Sequence, residues 1–195
     1  MRRLTFLCHA ATRSQREGRF PLPYEPILMD AQLRAPYTGS TAAILSAPEK
    51  RAEETALLIA RQMQTTDALR DCDFGAWKGR TLTEIDHSDP QGAAAWLADP
   101  GACPHGGERI AELSHRIGEW LGGFTQDGHV VAVTHAAVMR AAALHILQAP
   151  FAAFWRMDIE PLSTMDLWFN GRFWTLRSLN AQAEPDRTTR VNGDA

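Results

Sequence analysis

The chain has 195 residues, of which 45% are hydrophobic, and its 20 basic and 23 acidic side chains give a formal net charge of −3 at pH 7. This length suits one domain that buries a sizeable core without disulfides or a structural metal. The slightly acidic balance disfavours a general nucleic-acid binder, and no apolar run approaches the roughly 18 residues of a membrane span.

Short apolar runs predict the strands of the first half. Residues 4–7 predict one buried strand, and residues 42–46 predict a second, after a stretch punctuated by proline and glycine. Pro48 then opens a helix, because a proline in the first turn costs no helical hydrogen bond. An apolar stripe continues that helix to about Met63.

Helices and strands alternate through the second half. In chain order we predict a loop over 67–80, short helices near 81–86 and 89–98, a longer helix after Gly107, a strand over 129–134 and a helix over 136–147. Residues 162–169 and 173–179 flank Asn170-Gly171, which predicts a hairpin with a type I′ turn.

This order predicts an α/β three-layer sandwich, with a mostly parallel central sheet, an antiparallel edge and helices on both faces. We expect one domain over residues 1–180. The polar residues 181–195 are predicted to form a flexible C-terminal tail.

Two of the predicted strands end in the same way. The first leads to Cys8-His9-Ala10-Ala11, and the strand over 129–134 leads to Thr134-His135-Ala136-Ala137. Ligands bind beyond the carboxyl ends of the strands in an open α/β sheet, so the two histidines can meet in one pocket. His135 would also lie at a helix N-terminus, where backbone N–H groups favour an anion. Ordinary polar residues at strand ends are the simpler alternative, but the repetition favours a functional site.

Arginines near these histidines indicate an anionic ligand. Arg51 lies in the first turn of its predicted helix, where the helix dipole disfavours a cation unless it faces an anion. Arg13, Arg16 and Arg19 surround the first histidine in a chain that is acidic overall. This local positive charge predicts a phosphate or another anionic substrate, although a solvated surface position for Arg51 stays open.

Five motifs in the same order resemble those of the phosphatase branch of the histidine phosphatase (phosphoglycerate mutase-like) superfamily. They are Cys8-His9-Ala10-Ala11-Thr12; Ser46, Pro48, Arg51, Ala52, Thr55 and Ala56; Asp71, Phe74, Gly75, Trp77 and Gly79; Gly106-Gly107-Glu108; and Thr134-His135-Ala136 with Arg140. The resemblance covers roughly residues 1–180 and implies the same three-layer fold.

The resemblance implies phosphomonoester hydrolysis through a phosphohistidine on His9, with no metal and no cofactor. Arg51 and His135 would hold the phosphoryl oxygens, and Asp71 would protonate the leaving oxygen before activating a water. The substrate-binding positions would be Cys8, Arg13, Gln15, Arg19 and Ala136.

Four positions depart from the family pattern. Cys8 replaces an arginine that binds the phosphate in the family. This loss should reduce the rate or the affinity by about 10- to 100-fold. Asp71 replaces a glutamate, and Ala10 and Ala136 replace glycines. Two interpretations stay open: a phosphatase with reduced or redirected activity, or a catalytically impaired relative that binds a phosphorylated or anionic ligand or a protein partner.

The predicted partner is a small phosphorylated substrate, with no nucleic acid and no membrane. The apolar hairpin and residues 151–155 could form a homodimer surface or be buried within the monomer. Three widely spaced cysteines fit reduced thiols, so we expect a cytoplasmic protein. We interpret His105 as a histidine on a surface loop.

Overall fold

The computed structural model describes residues 2–29 and 42–182, in which six strands form one sheet in the order β3-β2-β4-β1-β5-β6. The strands are β1 (Arg2–Cys8), β2 (Ala43–Ser46), β3 (Gln64–Thr65), β4 (Gly128–Thr134), β5 (Ser163–Phe169) and β6 (Trp174–Gln182). The α-helices are α1 (Arg13–Arg16), α2 (Lys50–Ile59), α3 (Leu82–Ser88), α4 (Pro90–Ala98), α5 (Ile110–Gly122) and α6 (Ala136–Leu147).

The sheet has the predicted mixture of strand directions. β1, β2, β3 and β4 pair in parallel, whereas β5 is antiparallel to β1 and β6 is antiparallel to β5. Residues 130–133 of β4 are all fully buried, and successive strand residues point to opposite faces. Both faces of the sheet are therefore covered, which confirms the predicted α/β sandwich with an antiparallel edge.

Helix α2 forms one side of the candidate active site. It packs on β2 and β4, and its buried stripe includes Ala52, Thr55 and Ala56. The helix ends at Ile59, earlier than the predicted Met63, because Ala60 has an extended backbone with a φ of −149°. Within the described residues, no helix is both long and apolar enough to cross a membrane.

The hairpin of β5 and β6 is present, but its predicted type I′ turn is wrong. Phe169 pairs with Trp174, so the loop contains four residues, and only Gly171 of these has a positive φ. The Asn170 side-chain oxygen accepts hydrogen bonds from the N–H groups of Arg172 and Phe173 and thereby stabilises this wider turn. β6 continues to Gln182, and the predicted tail beyond it lies outside the described residues.

Two glycines allow the segment after Asp71 to lie against residues 105–108. The Asp73 carbonyl accepts from the Glu108 N–H at 2.8 Å, and the His105 carbonyl accepts from the Ala76 N–H at 2.9 Å. A Cβ on Gly107 would collide with the Asp73 carbonyl oxygen, and one on Gly75 would collide with the His105 carbonyl oxygen. Side chains at these positions would push the two segments apart.

We therefore expect Gly107→Ala to lower the free energy of unfolding by about 1–3 kcal/mol, because backbone atoms must move to admit the methyl group. Gly122→Ala is the control, since a Cβ there meets no described atom within 4 Å. Its unfolding free energy should equal that of the wild type or exceed it by up to about 1 kcal/mol, because alanine favours a helix more than glycine does. Chemical denaturation measures both variants, and equal stabilities would contradict the close approach.

Candidate active site

His9 and His135 lie side by side at the carboxyl edge of the sheet. Cys8 and Thr134 are register partners at the ends of β1 and β4, so the residues that follow them leave the sheet together. The two imidazole centroids are 5.1 Å apart, and both side chains are buried. The His9 N–H donates to the Thr134 carbonyl at 2.9 Å, which fixes this arrangement. The structure thus brings together the pair that the sequence placed at two strand ends.

One ring nitrogen of His9 forms a hydrogen bond, and the other has a lone pair that can react. Its Nδ1 lies 2.7 Å from the Ala10 carbonyl oxygen, which can only accept, so the proton is on Nδ1. Burial, together with the charges of His135 and Arg51, lowers the pKa of His9 to about 3. The imidazole is therefore neutral near pH 7, and its Nε2 lone pair can act as a nucleophile.

Arg51 is a buried cation that faces a carboxylate. Its side chain is 2% exposed, and Nη2 donates to Asp71 Oδ2 at 2.6 Å while Nη1 donates to the Leu22 carbonyl at 3.1 Å. Burial would raise the pKa of Asp71, but the positive charges of His135 and Arg51 outweigh it and lower that pKa below its ordinary value. Asp71 is therefore ionised in the free protein at neutral pH.

His135 contacts a second carboxylate, which the sequence analysis did not single out. Its Nε2 lies 2.8 Å from Glu49 Oε2, and Glu49 Oε1 accepts from the Asp71 N–H at 3.0 Å. Burial would raise the pKa of Glu49, but the hydrogen bond from His135 outweighs burial and lowers it. Glu49 precedes Arg51 by two residues at the same edge of the sheet, and this position in the sequence could have identified it as a candidate site residue.

Cys8 and Ala136 lie beside the histidines without adding charge. Ala136 is the first residue of α6 and directly follows His135. Cys8 is fully buried, and this burial, with the negative charge of Asp71, raises the pKa of its thiol to about 12. The thiol stays protonated at neutral pH, so Cys8 is a neutral neighbour of the site.

This pKa predicts that Cys8 resists alkylation in the folded protein. At about pH 8 only about one thiol in 10⁴ would be ionised, and the thiolate is the reactive form. We expect N-ethylmaleimide to modify the half-buried Cys103 before Cys8, and to reach Cys8 only after denaturation. Peptide mapping by mass spectrometry measures this order, and rapid native labelling of Cys8 would contradict the assigned burial.

Two further residues predicted to bind substrate, Arg13 and Arg19, pair with acidic side chains, and a third, Gln15, is exposed. Arg13 pairs with Glu17 at 2.7 Å, and its side chain is 82% exposed. Arg19 pairs with Glu84 at 3.0 Å and also contacts Glu17. Gln15 is exposed on α1. Acidic partners thus offset the local positive charge that the sequence pattern indicated.

A cavity of about 230 Å³ opens beside Arg51 and Asp71. Its other charged wall residues are Glu49, Arg70, Asp73 and Lys78, and Leu22 and Phe74 add apolar surface. Lys78 pairs with Asp73 and Arg70 pairs with Glu108, so the wall carries both signs of charge. A larger open groove of about 680 Å³ lies at the opposite end of β1, against Arg2, away from the histidines.

The prediction for His105 is wrong, because this side chain is only 3% exposed. Its ring packs edge-on against Trp77, with centroids 5.1 Å apart, in an aromatic cluster that includes Phe74 and Trp96. In the part of the chain that the structure describes, no group of three metal-ligating side chains is arranged to hold an ion.

Comparison with known proteins identifies the class of this fold and site. The sequence model of the Histidine phosphatase superfamily (branch 1) matches residues 4–182. The chain belongs to this superfamily.

Related proteins give the context for that assignment. A bifunctional protein of Mycobacterium tuberculosis is 28% identical over 187 residues, which cover 87% of this chain and 51% of that protein. The chain thus spans about half the length of this relative. Glucosyl-3-phosphoglycerate phosphatase of M. tuberculosis is 31% identical over 124 residues, 56% of each protein. The structure of Entamoeba histolytica phosphoserine phosphatase with 3-phosphoglyceric acid superposes with a TM-score of 0.82 at 20% identity, over 93% of this chain and 98% of that chain.

Proposed function

We propose that this protein hydrolyses a small phosphomonoester through a phosphohistidine intermediate on His9. The observation that carries the proposal is a neutral, buried imidazole 5.1 Å from a second imidazole, with the buried guanidinium of Arg51 in the same site. Membership of the histidine phosphatase superfamily and the phosphatase names of its relatives support the reaction class.

In the first step the Nε2 lone pair of His9 attacks the phosphorus atom. The bond from phosphorus to the ester oxygen breaks, and Asp71 gives a proton to that departing oxygen. Arg51 and His135 hold the non-bridging oxygens, whose negative charge is greatest in the transition state. His9 keeps its proton on Nδ1, and this N–H donates to the Ala10 carbonyl oxygen throughout, which keeps the ring oriented.

In the second step a water molecule attacks the phosphorus of the phosphohistidine. Asp71 takes one proton from this water, the bond from phosphorus to His9 Nε2 breaks, and inorganic phosphate leaves. His9 returns to its neutral form with the proton on Nδ1. Every proton is thereby accounted for over the complete cycle.

Asp71 can hold the required proton only while substrate is bound. In the free protein its carboxylate pairs with Arg51, and its pKa is lowered, with the cations outweighing burial. A phosphoryl dianion that takes Arg51 for itself removes one of those cations from Asp71 and adds negative charge beside it. Both effects favour the protonated acid in the complex.

The cavity next to Asp71 is the space in which we expect the leaving group to lie. Its volume of about 230 Å³ lies below the roughly 300–1,000 Å³ of pockets that enclose drug-sized ligands. A compact phosphomonoester fits this space, and the mixed charges of Arg70, Asp73 and Lys78 suit a polar alcohol. Phosphoserine and 3-phosphoglycerate, taken from the name and ligand of a structural neighbour, are the compounds to assay first.

The competing proposal is a catalytically impaired relative that binds a phosphorylated ligand or a protein partner. The neutral Cys8 beside the site and the two carboxylates within it favour this alternative. Phosphate release from a panel of phosphomonoesters, by the wild type and by Cys8→Arg, separates the two. Release by the wild type supports catalysis, whereas release by Cys8→Arg alone supports a lapsed enzyme.

A further inference from the structure

Glu49 occupies one nitrogen of His135 and thereby determines what the other nitrogen can do. The carboxylate only accepts hydrogen bonds, so the Nε2 atom at 2.8 Å from Glu49 Oε2 carries a proton. The opposite atom, Nδ1, lies 3.5 Å from Asp71 Oδ2. Among the described residues, His135 Nδ1 and Arg51 Nε are buried nitrogen atoms of this site that have no hydrogen-bond partner.

The Nδ1 atom of His135 faces the Asp71 carboxylate across 3.5 Å without a hydrogen bond. A neutral ring with its proton on Nε2 would turn the Nδ1 lone pair toward Asp71, which is repulsive. A ring protonated on both nitrogens turns an N–H toward Asp71 and balances the charge of Glu49. The Nδ1–H is then a free donor at the edge of the site.

We propose that Glu49 is a positioning residue that binds His135 Nε2 and so presents His135 Nδ1–H to the phosphoryl oxygens. This inference rests on the phosphatase function proposed above, because it assigns the oxyanion contact of that reaction to one atom. Glu49 reaches both groups from the residue before α2, and its second oxygen holds the Asp71 backbone N–H at 3.0 Å. One side chain thus orients both His135 and the Asp71 segment.

Charged and titratable groups close to His135 come from three other segments of the chain. Glu49 and Arg51 come from the start of α2, Asp71 from the following loop, and His9 from the end of β1. Arg70, Asp73 and Lys78 share the cavity wall with Glu49. Replacing Glu49 removes the negative charge beside Nε2 and leaves Nδ1 without any direct change in its contacts.

The Glu49→Gln variant distinguishes this positioning role from a merely structural or a merely repulsive one, because the substitution preserves the size of the side chain but removes its charge. Without the negative charge of Glu49 the ring presents an N–H on Nδ1 less readily, so above neutral pH sulfate should bind about 10-fold more weakly than to the wild type. At acid pH the ring is protonated without a counter-charge from residue 49, so sulfate should bind more tightly than to the wild type. The two affinity profiles therefore cross.

The experiment measures sulfate affinity by isothermal titration calorimetry between about pH 5.5 and about pH 8.5, where a histidine titrates. Sulfate stays a dianion over this range, so only the protein changes charge. Glu53→Gln, which removes a carboxylate from the first turn of the same helix, is the matched control and should follow the wild-type profile. Glu49→Asp, which retains the charge, should not cross, and it is measured as well in case Glu49→Gln fails to fold.

Each outcome decides between the proposals. Weaker binding by Glu49→Gln at every pH would mean a merely structural role, and tighter binding at every pH would mean a merely repulsive charge. Either result, or a profile parallel to the wild type, overturns the assignment to Glu49 and leaves the phosphatase proposal standing. Failure of the folded wild type to bind sulfate at all would count against both.

Discussion

Replacing His9 with alanine should reduce phosphomonoester hydrolysis by at least about 10⁴-fold, because the variant lacks the atom that accepts the phosphoryl group. No neighbouring group of the site replaces it readily. The Cys8 thiol has a pKa raised to about 12 by burial and by Asp71, so it is protonated, and His135 Nε2 is occupied by Glu49. The residual rate should approach that of the uncatalysed reaction.

Phosphate release under steady-state conditions, measured at a high enzyme concentration with substrate still in excess to detect slow turnover, tests this expectation. His115→Ala is the matched control, since His115 is 74% exposed on α5 and contacts Glu119. The control should retain the wild-type rate. Activity of His9→Ala within about 10-fold of the wild type would rule out a phosphohistidine on this residue.

The second large effect is expected for Arg51→Met, which should impair both catalysis and stability. Removing one donor to a developing oxyanion costs about 10²–10³ in rate. The same change leaves the carboxylate of Asp71, which is 10% exposed, without its closest cation. Breaking a buried ion pair on one side costs about 3–5 kcal/mol, so the free energy of unfolding should fall by about that amount at neutral pH.

The stability loss should depend on pH in a defined direction. Burial opposes ionisation of Asp71, but the charges of His135 and Arg51 hold the pKa of this carboxyl below its ordinary value. A lowered pKa in the folded state stabilises the protein above the unfolded-state pKa, and this stabilisation is lost as the pH falls through the folded-state pKa. The difference between wild type and Arg51→Met should therefore shrink below about pH 4.

Denaturant titrations at neutral and acid pH measure this difference directly. Arg61→Met, which removes an exposed arginine shortly after α2, is the control and should change the unfolding free energy by less than about 0.5 kcal/mol. A loss for Arg51→Met that stays constant with pH would show that the ion pair with Asp71 does not cause it.

Local sequence patterns were sufficient to predict the sheet and the proximity of His9 and His135. An uninterrupted apolar run such as residues 130–133 can be buried on both faces only inside a layered α/β fold, and parallel strands bring their carboxyl ends to one edge. His9 and His135 follow register partners on adjacent strands, so their proximity follows from topology. The helix-dipole argument for Arg51 predicted an anionic ligand, and in the free protein Arg51 pairs with the Asp71 carboxylate.

Local sequence patterns could not predict the contacts between distant segments of the chain. Glu49 reads as an ordinary residue before a helix, and its role depends on His135, which is 86 positions away. The charges of Arg13 and Arg19 are offset by Glu17 and Glu84 through side-chain directions that composition does not reveal. His105 is polar and flanked by turn residues, yet the aromatic rings of Trp77 and Trp96 enclose it.

Trapping the phosphorylated protein tests the central claim most directly. Wild-type protein is mixed with a substrate that it hydrolyses, quenched in alkaline denaturant, digested and mapped by mass spectrometry, because phosphohistidine survives alkali and is lost in acid. We expect one phosphoryl group on the peptide that contains His9, and none in the same peptide of His9→Ala. Phosphorylation of a different residue, or rapid turnover with no phosphorylated intermediate, would contradict nucleophilic attack by His9.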